Sequence, residues 1–355
     1  MNLIELHIIQ SFPVTCLNRD DLGSPKSAFF GGVNRARISS QCLKRAIRLT
    51  AAQFDPDGFH GQRTRLIIDP LIERLTKAEI DATKATDAAK EVADALATLD
   101  EKAEKDGKLR VKTLMFLSPA ELDAIAKALE EPIKAGAKAK ELVKAAAKAA
   151  KSVALKDAAD IAIFGRMVAS DQSLTVEGAG MFSHALSTHK CENEIDFFAA
   201  VDDGQSRDEA GAGMTGTLEF NSATYYRYAA LNLGLLNEHL ASLSSGQKRV
   251  VTDAFIRAAL LSIPGARKNS MNGATLPSYV LGIVKTQGQP IQLVNAFETA
   301  VSSRNGIVAE SIKALKNHHE TLTKTWNITN EIAVAIPDVD LGTFCARLLD
   351  GAFPV

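Results

Sequence analysis

The sequence has no uncharged apolar run approaching the ~18 residues needed to cross a bilayer, and its N-terminus shows neither a basic leader nor a small-residue cleavage site. A cytoplasmic protein with no membrane partner is expected. Cysteine is sparse: Cys16, Cys42, Cys191 and Cys345 stand apart, without a CxxC pair or a histidine-rich neighbour. This argues against both a disulfide framework and a zinc site, and predicts reduced thiols. Histidine offers no chelate either. His184 and His189 are an odd number of residues apart and cannot share a strand face, while His318 and His319 are adjacent on a predicted helix. No metal and no cofactor is expected. The composition of a disordered chain is missing too, since 46% of residues are hydrophobic and 23% charged. A chain of 355 residues suits one large domain with insertions or about two domains.

A strong positive charge is also missing. The formal net charge of −1 discourages nucleic-acid binding, which needs concentrated cations, but the average hides one segment. Between Asp21 and Asp55 no acidic residue occurs, while Lys26, Arg35, Arg37, Lys44, Arg45 and Arg48 all fall there. A merely solvated charged face would carry compensating acids and i,i+4 pairs. The segment follows a predicted strand, Leu3 to Ile9, closed by the breakers Ser11, Pro13 and Asn18. After the Gly31-Gly32 turn, Val33 to Ile38 alternates as a half-exposed strand, which puts Arg35 and Arg37 on one face. Ser39-Ser40 then caps a helix with Leu43, Ala46, Ile47 and Phe54 on its apolar side and Lys44, Arg45 and Arg48 on the other. Ser39 and Gln41 add donors where the helix dipole favours anions.

Beyond about residue 60 the chain becomes Ala-, Lys-, Glu- and Asp-rich and reads as a helical insertion. Ser118-Pro119-Ala120-Glu121 forms a capping box with proline at the first helical position, and a further helix is predicted to start after Pro132. On it Lys134, Lys138, Lys140, Lys144, Lys148 and Lys151 fall within an arc of roughly 160°. Strands are predicted at Ile161 to Phe164, which ends in Gly165-Arg166-Met167, and at Met181 to His189. Ile195 to Val201 and Leu218 to Leu233 flank a glycine-rich polar stretch and read as a long hairpin whose tip is mobile in the free protein. A helix over Gln247 to Leu261, a strand at Tyr279 to Val284, and helices around Val294 to Val301 and Val308 to Trp326 complete the pattern.

Several ordered motifs carry a resemblance. They are Cys16-Leu17-Asn18-Arg19-Asp20-Asp21, Phe30-Gly31-Gly32, the run from Arg35 to Arg45, Asp160 to Met167, His184 to His189, Asp196 to Asp203, Tyr226-Arg227-Tyr228-Ala229 and Asn295-Ala296-Phe297-Glu298. Together they closely resemble the backbone (CasC) subunit family of the type I-E CRISPR surveillance complex, Cascade. The resemblance implies an α+β fold: an RRM-like (ferredoxin-like) palm in segments 1–60, 152–189 and 222–355, inserted helical fingers at 61–151 and a β-hairpin thumb at 190–221. It implies a non-catalytic protein whose copies stack head to tail along a CRISPR guide RNA beside other Cascade subunits. Arg19, Lys26, Arg35, Arg37, Ser39, Gln41, Lys44, Arg45 and Arg48 would grip the RNA, with Arg166 and Met167 beside the guide bases. Phe198, Met214 and Thr215 would wedge bases apart, and the fingers lysines would attract target DNA. The alternative is a metal-dependent endoribonuclease of the type III backbone kind, using Asp20 and Asp21.

Overall fold

The computed structural model describes residues 1–155, 157–168, 171–201 and 212–354. Strand β1 (Leu3–Thr15) runs past the breakers Ser11 and Pro13. Its pairing register shifts between Phe12 and Thr15, and within such an irregularity a proline need not donate to the ladder. Strands β2 (Ser27–Phe30) and β3 (Val33–Ile38) are joined by Gly31 and Gly32 at φ +59° and +78°, a pair of positive values that a tight two-residue hairpin requires. Helix α1 (Ser40–Phe54) follows at once.

The next stretch holds β4 (Gln62–Thr64), α2 (Ile68–Lys77), α3 (Ala82–Ala97), α4 (Glu101–Lys105), β5 (Met115–Leu117), α5 (Pro119–Lys134), α6 (Ala139–Ser152) and α7 (Ala159–Phe164). The capping box at Ser118 forms as the sequence dictates, with Ser118 Oγ accepting from Glu121 N and Glu121 Oε2 accepting from Ser118 N. Two expectations are corrected. Pro132 lies inside the last turn of α5 rather than before a new helix, and the break comes at Gly136, whose φ of +71° leaves the helical region. Ile161 to Phe164 is helical, not extended: it belongs to α7, whose residues Ala159 to Ile163 are all buried, so the short apolar run carried no period by which to tell helix from strand.

The remaining elements are β6 (Gly180–Phe182), β7 (Ala185–Ser187), β8 (Glu194–Val201), β9 (Ala212–Asn232), α8 (Leu233–His239), α9 (Ser245–Leu261), β10 (Tyr279–Lys285), α10 (Ile307–Thr325), β11 (Ile332–Ile336) and α11 (Leu341–Ala352). The single strand expected over Met181 to His189 is interrupted at Ser183-His184, and the helix expected from Val294 is one 3-10 turn ending at Phe297. The main sheet has the order β11-β10-β1-β9-β7-β3-β2, with β6 and β8 also pairing with β9. The protein is therefore α+β, and its sheet is antiparallel at the pairings of β1 with β9 and β10.

The chain divides into two compact units. One comprises Met1–Thr50, Met181–Asn232 and Phe255–Val355, and the other Ala51–Gly180 and Leu233–Ala254. The second has a core of Ile68, Leu71, Leu75, Val92, Ile125 and Leu129 between its helices. Among the described residues no helix is long and apolar enough to cross a membrane.

In the first unit β1 is buried on both sides, which forces its polar residues into partnerships. Glu5 Oε1 accepts from Tyr228 Oη (2.8 Å) and Ile291 N (2.6 Å), and Glu5 also pairs with Lys285. Leu293 N donates to Tyr226 Oη (2.7 Å), and the same hydroxyl shares a hydrogen bond with His7 Nδ1 at 2.9 Å. Burial, reinforced by His319 and Lys285, pushes His7 down to about 3. An unfolded His7 takes up its proton near pH 6.5, which the folded chain refuses. The resulting stabilisation is complete above that pH, is lost as pH falls towards 3, and amounts to at most about 4–5 kcal/mol. Chemical unfolding between pH 7 and 4 checks this: stability should fall steeply in the wild type and more gently in His7→Gln, and parallel curves would exclude His7 as the titrating group.

Candidate nucleic-acid interface

The loop from Cys16 to Lys26 is stitched to the start of α1. Asn18 Oδ1 accepts from Ser39 N at 2.8 Å, Lys26 N donates to Asn18 O at 2.9 Å, and Arg37 N donates to Lys26 O at 2.8 Å. Within the loop Asp20 Oδ1 accepts from both Leu22 N and Ser24 N at 2.9 Å, an Asx-type closure that shapes the turn. Arg19 and Asp21 are exposed on it.

These bonds gather positive charge around the N-terminus of α1. The Cys42 thiol, whose Sγ donates to Leu17 O, is raised by burial and drawn back by Lys26 and Arg45, so both cations lie near it. His184 Nδ1 accepts from Ser40 N at 3.0 Å, and burial together with Arg37 and Lys26 holds that imidazole below its usual range. It is a neutral acceptor among cations. Along α1, Gln41 and Arg45 are exposed, Arg48 is half-buried, and Leu43, Ile47 and Ala51 point inwards. Phe54, expected on the apolar side, is the last residue of α1 and is 43% exposed. Lys44 Nζ lies 5.2 Å from the centre of the Phe182 ring, an aromatic support that no spacing in the sequence announced.

Three sequence-predicted contacts are buried instead. Arg35 has no exposed surface: its guanidinium donates to Phe30 O (3.2 Å), Ser187 O (2.9 Å), Phe297 O (2.8 Å) and Glu298 O (3.3 Å). The segment at Phe297-Glu298 covers that end of β3, and a Cβ on Gly31 would stand only 1.6 Å from Glu298 O. Only glycine permits the approach. Arg37, two residues on, remains partly exposed and donates through Nε to Ser27 O. Ser39 is 6% exposed and its Oγ accepts from Cys42 N, so it caps α1 rather than meeting a ligand. In the second unit Arg166 donates to Glu121 Oε1 (2.7 Å), Phe116 O (3.0 Å) and Leu174 O (2.8 Å), a buried ion pair that ties strand to helix. Its neighbour Met167 is 83% exposed.

The lysine stripe is carried by two helices instead of one. Lys134 ends α5 and reaches Glu131, Lys138 precedes α6, and Lys140, Lys144, Lys148 and Lys151 stand exposed on α6 with Leu142, Ala146 and Ala150 turned inwards. On the hairpin of β8 and β9, Phe198 faces Gly216 and Ala200 faces Met214, which puts Phe198 and Met214 on one side. A Cβ at Gly216 would lie 2.6 Å from the Phe198 ring. Thr215 opposes Ala199 and so lies on the other side, with Phe197. It is separated from the wedge pair it was grouped with. Residues 202–211, which contain the predicted mobile tip, lie outside the described residues. Among the described residues no three His, Cys, Asp or Glu side chains gather as metal ligands.

The CT1975-like protein family matches residues 4–343 of this chain. No curated protein matches it. Among solved structures, a chain of one described as "CRISPR RNA-guided surveillance complex, pre-nicking" is 31% identical, with a TM-score of 0.83 over 99% of this chain and 100% of that one. A chain of another, described as "CRISPR RNA-guided surveillance complex", is 27% identical, with a TM-score of 0.72 over 98% and 99%.

Proposed function

The chain belongs to the CT1975-like protein family, and from that premise we propose that it is a non-catalytic, RNA-binding backbone subunit of a type I-E CRISPR surveillance complex. The observation that carries the proposal is the joining of Arg19 with Lys26, Arg37 and Arg45 around the capped start of α1, the last three in a segment free of acids, within a chain whose full-length structural relatives belong to RNA-guided complexes. Cations and helix N–H groups bind phosphate whatever the base, so the guide sequence stays free for pairing. In this reading the sheet-bearing unit is the palm, the helical unit the fingers, and the β8–β9 hairpin the thumb. Copies stack along guide RNA in the cytoplasm, Phe198 and Met214 push a base aside without reading it, Met167 touches guide bases, and the α6 lysines draw in target DNA. Metal-dependent cutting at Asp20 and Asp21 is the weaker alternative, because the Asp20 carboxylate already closes its own turn.

The test is one preparation with two readouts. The protein purified with its partner subunits should carry RNA of one discrete length with repeat-derived ends, and should leave a complementary RNA whole in manganese. Purification free of nucleic acid overturns RNA binding. Regular cuts that vanish in Asp20→Ala overturn the non-catalytic assignment.

A further inference from the structure

The longest acid-free stretch of the chain is not the one around α1. It lies between Asp253 and Glu298 and contains Arg257, Arg267, Lys268 and Lys285. Its central loop, which joins α9 to β10, runs along the end of β1. Gln10 Nε2 donates to Thr275 O at 2.7 Å, and Thr275 Oγ1 donates to Ser11 O at 2.8 Å. At Gly273 the approach is closer still, for a Cβ there would stand 2.8 Å from Thr15 Cγ2 and 3.3 Å from Leu17 Cδ2. This loop, far from β1 in sequence, therefore lies against the end of the strand that leads into Arg19. Arg267 and Arg19 both bear on the buried Cys16 thiol, offsetting the rise that burial causes.

From Gly265 to Ser270 the loop curls around an open hollow of about 420 Å³, lined by Gly265, Arg267, Lys268, Asn269 and Ser270. Arg267 has a φ of +51°, and Ser270 N (3.1 Å) and Met271 N (2.8 Å) both donate back to Arg267 O. Those two bonds close the turn on itself, so the donors left to face the hollow are side chains. Lys268, Asn269 and Ser270 are exposed around it. The hollow thus offers a guanidinium, an ammonium, an amide and a hydroxyl, with no carboxylate among its lining residues.

We propose that the loop Gly265–Ser270 is a phosphate-binding arm for the backbone of the same RNA strand that Arg19 and Lys26 hold. The inference rests on the RNA-binding reading above and extends it to a segment that shares no sequence neighbourhood with α1. A phosphodiester oxygen only accepts hydrogen bonds, which matches a lining rich in donors. Contact at this loop also lengthens the strand's footprint beyond the α1 cluster, along the end of β1.

The experiment measures binding of the full chain, freed of nucleic acid, to a labelled single-stranded RNA across a range of salt. Lys268→Ala and Arg45→Ala are compared with wild type. Each lost phosphate contact on a single strand lowers the slope of log K against log salt by about 0.7, equivalent to about fourfold weaker binding at 0.15 M salt. Lys268→Ala should show that loss with an unchanged melting temperature, and a benzophenone at position 269 should cross-link to the RNA. An unchanged slope for Lys268→Ala beside a reduced one for Arg45→Ala overturns the loop's role and leaves the RNA-binding reading intact. Unchanged slopes in both overturn both. A loss seen only with target DNA, and no cross-link to RNA, also overturns the assignment.

Discussion

Charge reversal at two positions of α1, Lys44→Glu with Arg45→Glu, should abolish RNA-dependent assembly while the sheet-bearing unit stays folded. Arg45 is exposed and Lys44 is half-buried over Phe182, so neither supports the apolar side formed by Leu43 and Ile47. The folding cost is confined to the cation–π contact, about 1 kcal/mol. Binding suffers far more. Two phosphate contacts vanish and two repulsions replace them, for a loss on the order of 10²-fold at physiological salt, and the salt dependence becomes shallower. Arg48 is left unaltered in this variant because it is itself partnered within the chain. The check is a salt titration of RNA affinity alongside a thermal melt. Wild-type affinity in the double variant removes the α1 cluster from the binding site, and a collapsed melt shows the two residues to be structural.

Arg35→Ala should have the opposite profile, a large loss of stability. The guanidinium joins four carbonyls from three separate segments and lies 5.6 Å from the centre of the Phe30 ring. Removing it leaves those acceptors buried and unpaired, at a cost of about 3–5 kcal/mol. That is a large share of the 5–15 kcal/mol by which domains are typically stable, so the variant should be poorly folded at 37 °C. Arg35→Lys should rescue little, since a single ammonium cannot span a forked set of acceptors. Chemical denaturation of the three chains measures this. A near-native midpoint for Arg35→Ala, with RNA binding lost, would return Arg35 to the ligand surface.

The contrast between Arg35 and Arg37 shows what was legible in the sequence and what was not. Alternation along β3 correctly places both on one face, but nothing local shows that Phe297 and Glu298 come back to cover only the first of them. Arg166 deceived in the same way, its partner Glu121 lying far off in sequence. Elements governed by short-range rules were readable: the Ser118 capping box, the β2–β3 turn, the start of α1 and the pairing of β8 with β9. Short buried segments such as α7 were not, because burial on every side erases the period. The exposed α1 cations could be foreseen because they are contiguous. The basic loop at Arg267 could not, since only the fold lays it against β1.

Strand β9 spans Ala212–Asn232 without interruption, its first part paired with β8 and its later part with β1. At about 3.3 Å per residue such a strand is roughly 70 Å long. The hairpin and the sheet share this one strand, so the hairpin is attached as a cantilever held at β1. Any load on Phe198 or Met214 is therefore carried as backbone tension into the centre of the sheet, where β1 and the buried Glu5–Tyr228 bond take it up.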